Sequence, residues 1–95
     1  MKVGLIKGRH TLPPDVKEYI FTRALTSEEM TDNTWLYLHA SEALARLKPD
    51  VVEIYVTGLT QALIAVLNVC RAHRIKAVCV HYNRETGGWW KQEVL

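Results

Sequence analysis

Apolar and polar positions alternate along this chain in a way that predicts most of its elements. Residues 2–6, Lys-Val-Gly-Leu-Ile, read as a short strand that stops at Gly8 and a polar corner. Pro13-Pro14 forbids regular structure immediately after it. Residues 16–22 hold Tyr19, Ile20 and Phe21 and read as either a second strand or an irregular edge segment. Residues 23–34 are rich in Thr, Ser, Glu and Asp and read as a loop or a frayed helix start, in which Thr26 and Glu29 have capping-box spacing. Leu36, Ala40, Ala43, Leu44 and Leu47 then fall on one helical face, and Pro49 ends that helix.

The second half of the chain is more regular. Residues 51–57 form a β-branched run of strand length, punctuated by Gly58. Thr60 is placed to cap a helix running to about His73, with Leu63, Val66, Leu67 and Cys70 on its core face. Residues 75–82 resemble a central strand buried on both faces, residues 83–88 a turn, and residues 89–94 an antiparallel edge strand. Residues 51–82 are thus a β-α-β unit with parallel strands and a right-handed crossover. The expected fold is a single α/β domain over residues 1–95, a small mixed β-sheet with a β-α-β core and flanking helices. Ala62, Ala65, Val69 and Ala72 make a second apolar side on the helix after Thr60. Such a helix needs cover on two sides, either from the N-terminal segment or from another subunit of a homodimer or larger symmetric oligomer.

Composition narrows the classes. A chain of 95 residues that is 48% hydrophobic and 23% charged is globular. At this size only roughly 60–65% of the unfolded surface is buried, so association is a natural supplement to stability. No apolar run approaches the roughly 20 residues that span a bilayer, and charges at Lys7 and Arg9 interrupt any signal-peptide pattern. Cys70 and Cys79 sit inside apolar runs and read as buried free thiols. The net charge of +2 conceals a pattern. Residues 1–13 carry only Lys2, Lys7 and Arg9, residues 14–53 carry eight acids against four bases, and residues 54–95 carry five bases against Glu85 and Glu93. A fold that joins the two basic ends would create a local anion site; without it, these are scattered solvated cations.

Ligands of open α/β sheets bind beyond the carboxyl ends of the parallel strands. Three polar corners are candidates there: Lys7-Gly8-Arg9-His10, Thr57-Gly58-Leu59-Thr60 and His81-Tyr82-Asn83-Arg84. The second leads from strand to helix, where unpaired amides and a partial positive charge suit a phosphate. It has neither the Gly-x-Gly-x-x-Gly nor the P-loop pattern, and without its neighbouring corners a capped helix after a tight turn is the better explanation. Arg9 and Arg84 could hold phosphates in bidentate fashion with Lys7 as a point charge, and His10, His81 and Tyr82 could donate hydrogen bonds. Tyr82, Trp89 and Trp90 could stack on a base, or the tryptophans could be core or interface anchors. Nucleophilic triads, metal-ligand clusters and convergent carboxylates are absent from the pattern, and His10 or His81 is the only plausible general base. The bases are too few for extended nucleic acid. A compact nucleotide fits, with no cofactor expected.

The opening residues 2–10 with Glu18-Tyr19-Ile20-Phe21, the block Tyr55-Val56-Thr57-Gly58-Leu59-Thr60, and the closing residues 81–87 with Gln92 resemble the Thoeris anti-defence one family. These are small phage proteins that sequester the cyclic ADP-ribose signals of bacterial TIR-domain defence proteins, some also holding cyclic oligonucleotides. The resemblance covers the two ends and the last 45 residues; residues 23–50 match no part of it, and the chain is short for that family. It implies a sponge acting in the cytoplasm of an infected bacterium, without cleavage, as a symmetric oligomer with pockets at subunit interfaces. It also implies that Arg84 grips the ligand and an aromatic residue stacks on adenine. Two other readings stand beside it: a metal-independent ring nuclease cleaving cyclic oligoadenylate, and an interaction module that binds no nucleotide.

Overall fold

The computed structural model describes residues 1–95. Its elements are β1 (Lys2–Ile6), β2 (Glu18–Phe21), α1 (Ser27–Met30), α2 (Asn33–Leu47), β3 (Val51–Tyr55), α3 (Thr60–Ala72), β4 (Lys76–Asn83) and β5 (Gly88–Glu93). They form one α/β domain whose five-stranded sheet has the order β2-β1-β3-β4-β5. The first four strands are parallel, and β5 returns antiparallel to β4. No helix is long and apolar enough to cross a membrane.

Topology dictates which face each connection covers. The crossovers from β2 to β3 and from β3 to β4 advance in the same direction across the sheet, so right-handed connections place α2 and α3 together on one face. Their apolar stripes meet Val3, Leu5, Val52, Ile54 and Ala77 in the main core. The step from β1 to β2 runs the other way, so the same rule sends residues 7–17 over the opposite face. There Leu12 and Val16 pack with Tyr55, Val80 and Trp89 in a second, smaller core.

Local chemistry sets the ends. Thr26 and Glu29 form the anticipated capping box, which starts the single turn of α1 inside a stretch that read as loop or frayed helix. Asp32 caps α2 by accepting from the Trp35 amide at 3.0 Å, and Lys48 closes it in a left-handed conformation (φ 51°) just before Pro49. The ambiguous segment around Tyr19 is a strand, parallel to β1, with its ring lying across Gly4.

Two expectations are corrected. Thr60 does not cap α3: the N-cap is Leu59, left-handed at φ 47° and without a side-chain cap bond, and Thr60 is the first helical residue. Gly58 (φ 85°) and Leu59 turn the chain so sharply that the leucine side chain is carried against the main core. The buried face of α3 is also rotated from the one the larger residues suggested. Ala62, Ala65, Val66, Val69 and Cys70 are buried, whereas Leu63 and Leu67 flank the core half-buried. Small residues let the helix approach the sheet closely, and the leucines fill its margins.

Candidate functional site

Because β1, β3 and β4 are parallel, the corners that follow them emerge at one edge of the sheet. A cleft of about 790 Å³ opens there. Its lining comprises His10, Thr11, Leu12 and Pro13 from the irregular crossover, Val56, Thr57 and Gly58 after β3, and His81, Tyr82, Arg84 and Trp89 from the β4–β5 hairpin. That volume is in the range of small-molecule sites. No acidic side chain lines it.

One wall is aromatic. Tyr82 and Trp89 are cross-strand partners, and Trp89 meets the rings of Tyr55 at 5.1 Å and Tyr82 at 5.2 Å in edge-on geometry. Trp89 is half-buried and Tyr82 is 51% exposed, so the wall ends in an accessible phenol ring. Strand alternation sends Trp90 to the other face, where it stacks on the His81 imidazole at 4.6 Å. His81 also bonds through Nε2 to Oε1 of Gln92 at 2.9 Å, so its ring is engaged away from Trp89 although the residue borders the cleft. His10 has no hydrogen-bond partner and is the free imidazole of the site.

The floor and rim are basic and donor-rich. Thr57 is the single buried polar side chain of the molecule. Arg9 lies over Gly58, its Nη2 3.7 Å from where a Cβ at that position would stand, which brings the first corner onto the second. The backbone N–H groups of Gly58, Leu59, Thr60 and Gln61 have no acceptor within the protein, and Arg9 lies over the first of these residues. Arg84 projects from a loop that Asn83 ties together, its Oδ1 accepting from the Glu85 amide at 2.9 Å and its carbonyl from Gly87 at 2.8 Å.

Not every candidate residue reaches this place. Leu59 faces the core, Thr60 is exposed at the first position of α3, and neither lines the cleft; nor does Arg9, which reaches only the Gly58 turn at its margin. Lys7 lines a different hollow, between β2 and α2. Thr11, Leu12, Pro13 and Val56 were missed as site residues; an isolated leucine between polar residues and Pro13-Pro14 was the available sign that this corner folds back onto the sheet.

Burial pushes the Cys70 thiol up to about 11 and raises that of Cys79 as well, so neither is a nucleophile near neutrality. No group of three or more His, Cys, Asp or Glu side chains is disposed to hold a metal ion. Phosphates have arginines and amides to meet, and a base has Tyr82 and Trp89. In comparisons with known proteins, no family model, no curated protein and no solved structure matches the chain.

Proposed function

We propose that the chain binds a compact anionic nucleotide in the cleft between residues 10–13, the β3–α3 turn and the β4–β5 hairpin. Phosphates sit by Arg9, Arg84 and the free amides from Gly58 onward, and a base lies against Tyr82 and Trp89. In keeping with the family resemblance, the ligand is a cyclic nucleotide immune signal of the cyclic ADP-ribose type. The protein sequesters it uncleaved in the cytoplasm of an infected bacterium. The observation that carries this reading is a cleft free of acids, where Arg84 and an aromatic wall stand beside the Gly58 turn that Arg9 covers.

Self-association belongs to the same reading. Leu38 and Ile64 are 54% and 52% exposed, and they face a groove between α2 and α3 whose eight lining residues carry no charge. A second copy seated there would bury no ion.

A thermal-shift screen of cyclic ADP-ribose isomers and cyclic oligoadenylates tests binding, since a hundredfold excess over Kd adds about 2.7 kcal/mol to apparent stability. Heat denaturation of the loaded protein then shows the fate of the ligand. Release of intact nucleotide supports sequestration. Release of linear fragments favours the ring nuclease, for which His10, the unengaged imidazole of the cleft, is the candidate base. Absence of any shift across the screen overturns the nucleotide reading.

A further inference from the structure

The opposite end of the sheet holds a second hollow, of about 520 Å³, that the nucleotide cleft does not use. One wall is the whole of β2 with its flanks, residues 17–23, and the other is a single stripe of α2 running from Trp35 through His39 and Ala43 to Arg46. β2 is an edge strand, paired only with β1. Phe21 accepts from the Lys7 amide at 2.9 Å, so in the alternation of a parallel ladder Tyr19 and Phe21 point their backbone groups at β1. The N–H and C=O of Glu18 and Ile20 therefore face outward, into the hollow's open side. An edge strand beside a helix, with free ladder groups, is the geometry that accepts an extended peptide as an added strand.

Charge selects the peptide. Lys7, Lys17, Arg23 and Arg46 line the hollow against Glu18 and Glu42. Arg23 is committed to Glu29 at 2.7 Å and Arg46 reaches Glu18 only at 3.8 Å, while Lys7 and Lys17 make no ion pair. Between them, the sides of Trp35, His39 and Ala43 offer an apolar floor, with the His39 ring stacked on Trp35 at 3.9 Å. We propose that this hollow is a docking site for an extended segment of a partner protein in which acidic and aliphatic residues alternate, added to the sheet beside β2. A four-residue strand spans about 13 Å at roughly 3.3 Å per residue and pairs with about four residues of such a segment. A second copy is the poorer occupant, because antiparallel pairing of β2 with itself would juxtapose two sets of uncompensated lysines.

The test uses the intact protein, isotope-labelled, and the blocked pentapeptide acetyl-Glu-Val-Glu-Val-Glu-amide. Titration is expected to shift the Glu18 and Ile20 amides and slow their hydrogen exchange. The Lys-Val-Lys-Val-Lys counterpart and the Glu-Val peptide with alternate amides N-methylated should each bind roughly tenfold more weakly. Lys17→Glu, an exposed change, should weaken binding of the acidic peptide with the fold intact by circular dichroism. Failure of the Glu18 and Ile20 amides to respond at millimolar peptide overturns the proposal. So does equal binding of the lysine peptide, or a concentration-dependent shift of the same amides with no peptide present, which would make the occupant a second copy.

Discussion

Gly4→Ala is expected to destabilise the fold and to damage the cleft proposed for the nucleotide, although residue 4 does not line it. A Cβ at this position would stand 2.4 and 2.6 Å from ring carbons of Tyr19 and 2.8 Å from a Leu12 methyl. The Leu12 methyl is the end of a flexible side chain and can turn aside; the Tyr19 ring is rigid and set by its register opposite Gly4. Overpacking of this kind costs about 1–3 kcal/mol, offset by the roughly 0.5–1 kcal/mol that alanine gains over glycine in a strand interior. A net loss of about 1–2 kcal/mol follows, read as a lower urea midpoint at unchanged m-value. Leu12 itself lines the cleft, so a Leu12 side chain turned aside should also reduce any thermal shift produced by nucleotide. In a Tyr19→Ala background the ring is gone, and Gly4→Ala should become neutral or stabilising by up to about 1 kcal/mol. A Gly4→Ala protein as stable as the parent, or one equally destabilised with and without the Tyr19 ring, would refute the reasoning.

Arg84→Ala, at an exposed residue with no hydrogen bond, should leave the urea midpoint within about 0.5 kcal/mol of the parent and abolish the nucleotide-induced thermal shift. Gly58→Ala places a side chain at φ 85°, a strain of about 1–2 kcal/mol, in a position where the new methyl meets only Arg9; denaturation should show that loss, and the ligand shift should weaken with it. The Arg23 guanidinium, followed by the Thr26 amide, lowers the Glu29 carboxyl from 4.5 to about 2. A depressed carboxyl contributes stability above its unfolded value that is lost as pH falls through the folded one. The difference in urea midpoint between parent and Glu29→Ala should therefore be full at neutrality and vanish between about 4.5 and about 2. Leu38→Glu should convert any self-associated form to monomer in sedimentation velocity without altering the circular dichroism spectrum. An unchanged sedimentation coefficient would place self-association elsewhere.

Periodicity made α2, β3, α3, β4 and β5 legible, because each carries a run long enough to show its period. β2 was ambiguous because its strand is four residues long and its identity depends on a partner, β1, reached through a connection with no period of its own. The rotation of α3 shows a different limit. Its sequence offers two apolar sides, one of leucines and one of small residues, and only the closeness of helix and sheet decides that Ala62, Ala65 and Val69 go inward. At the cleft, residues immediately following strands were correctly placed at the edge, as parallel topology requires. Which of them enter it was not legible. Lys7 is turned toward β2 and α2, and the left-handed step at Leu59 carries the next side chains away from the turn, so adjacency in sequence did not become adjacency in space.

The cleft itself follows from an asymmetry of cover. On one face two helices lie over the sheet and fill the space above its middle strands with the main core. On the other, only the irregular connection of residues 7–17 crosses, and it reaches Tyr55, Val80 and Trp89 through Leu12 and Val16 before turning into β2. A helical crossover in its place would extend over Tyr82 and close the site; eleven residues without a helix cannot. Gly4 completes the device, since the missing Cβ lets Tyr19 and Leu12 lie flat on the strand and hold the crossover low. The aromatic wall beyond it is thereby left standing above its surroundings, with Arg9 carried back over Gly58 at its foot. A small chain thus gains a ligand-sized hollow by leaving part of one sheet face uncovered.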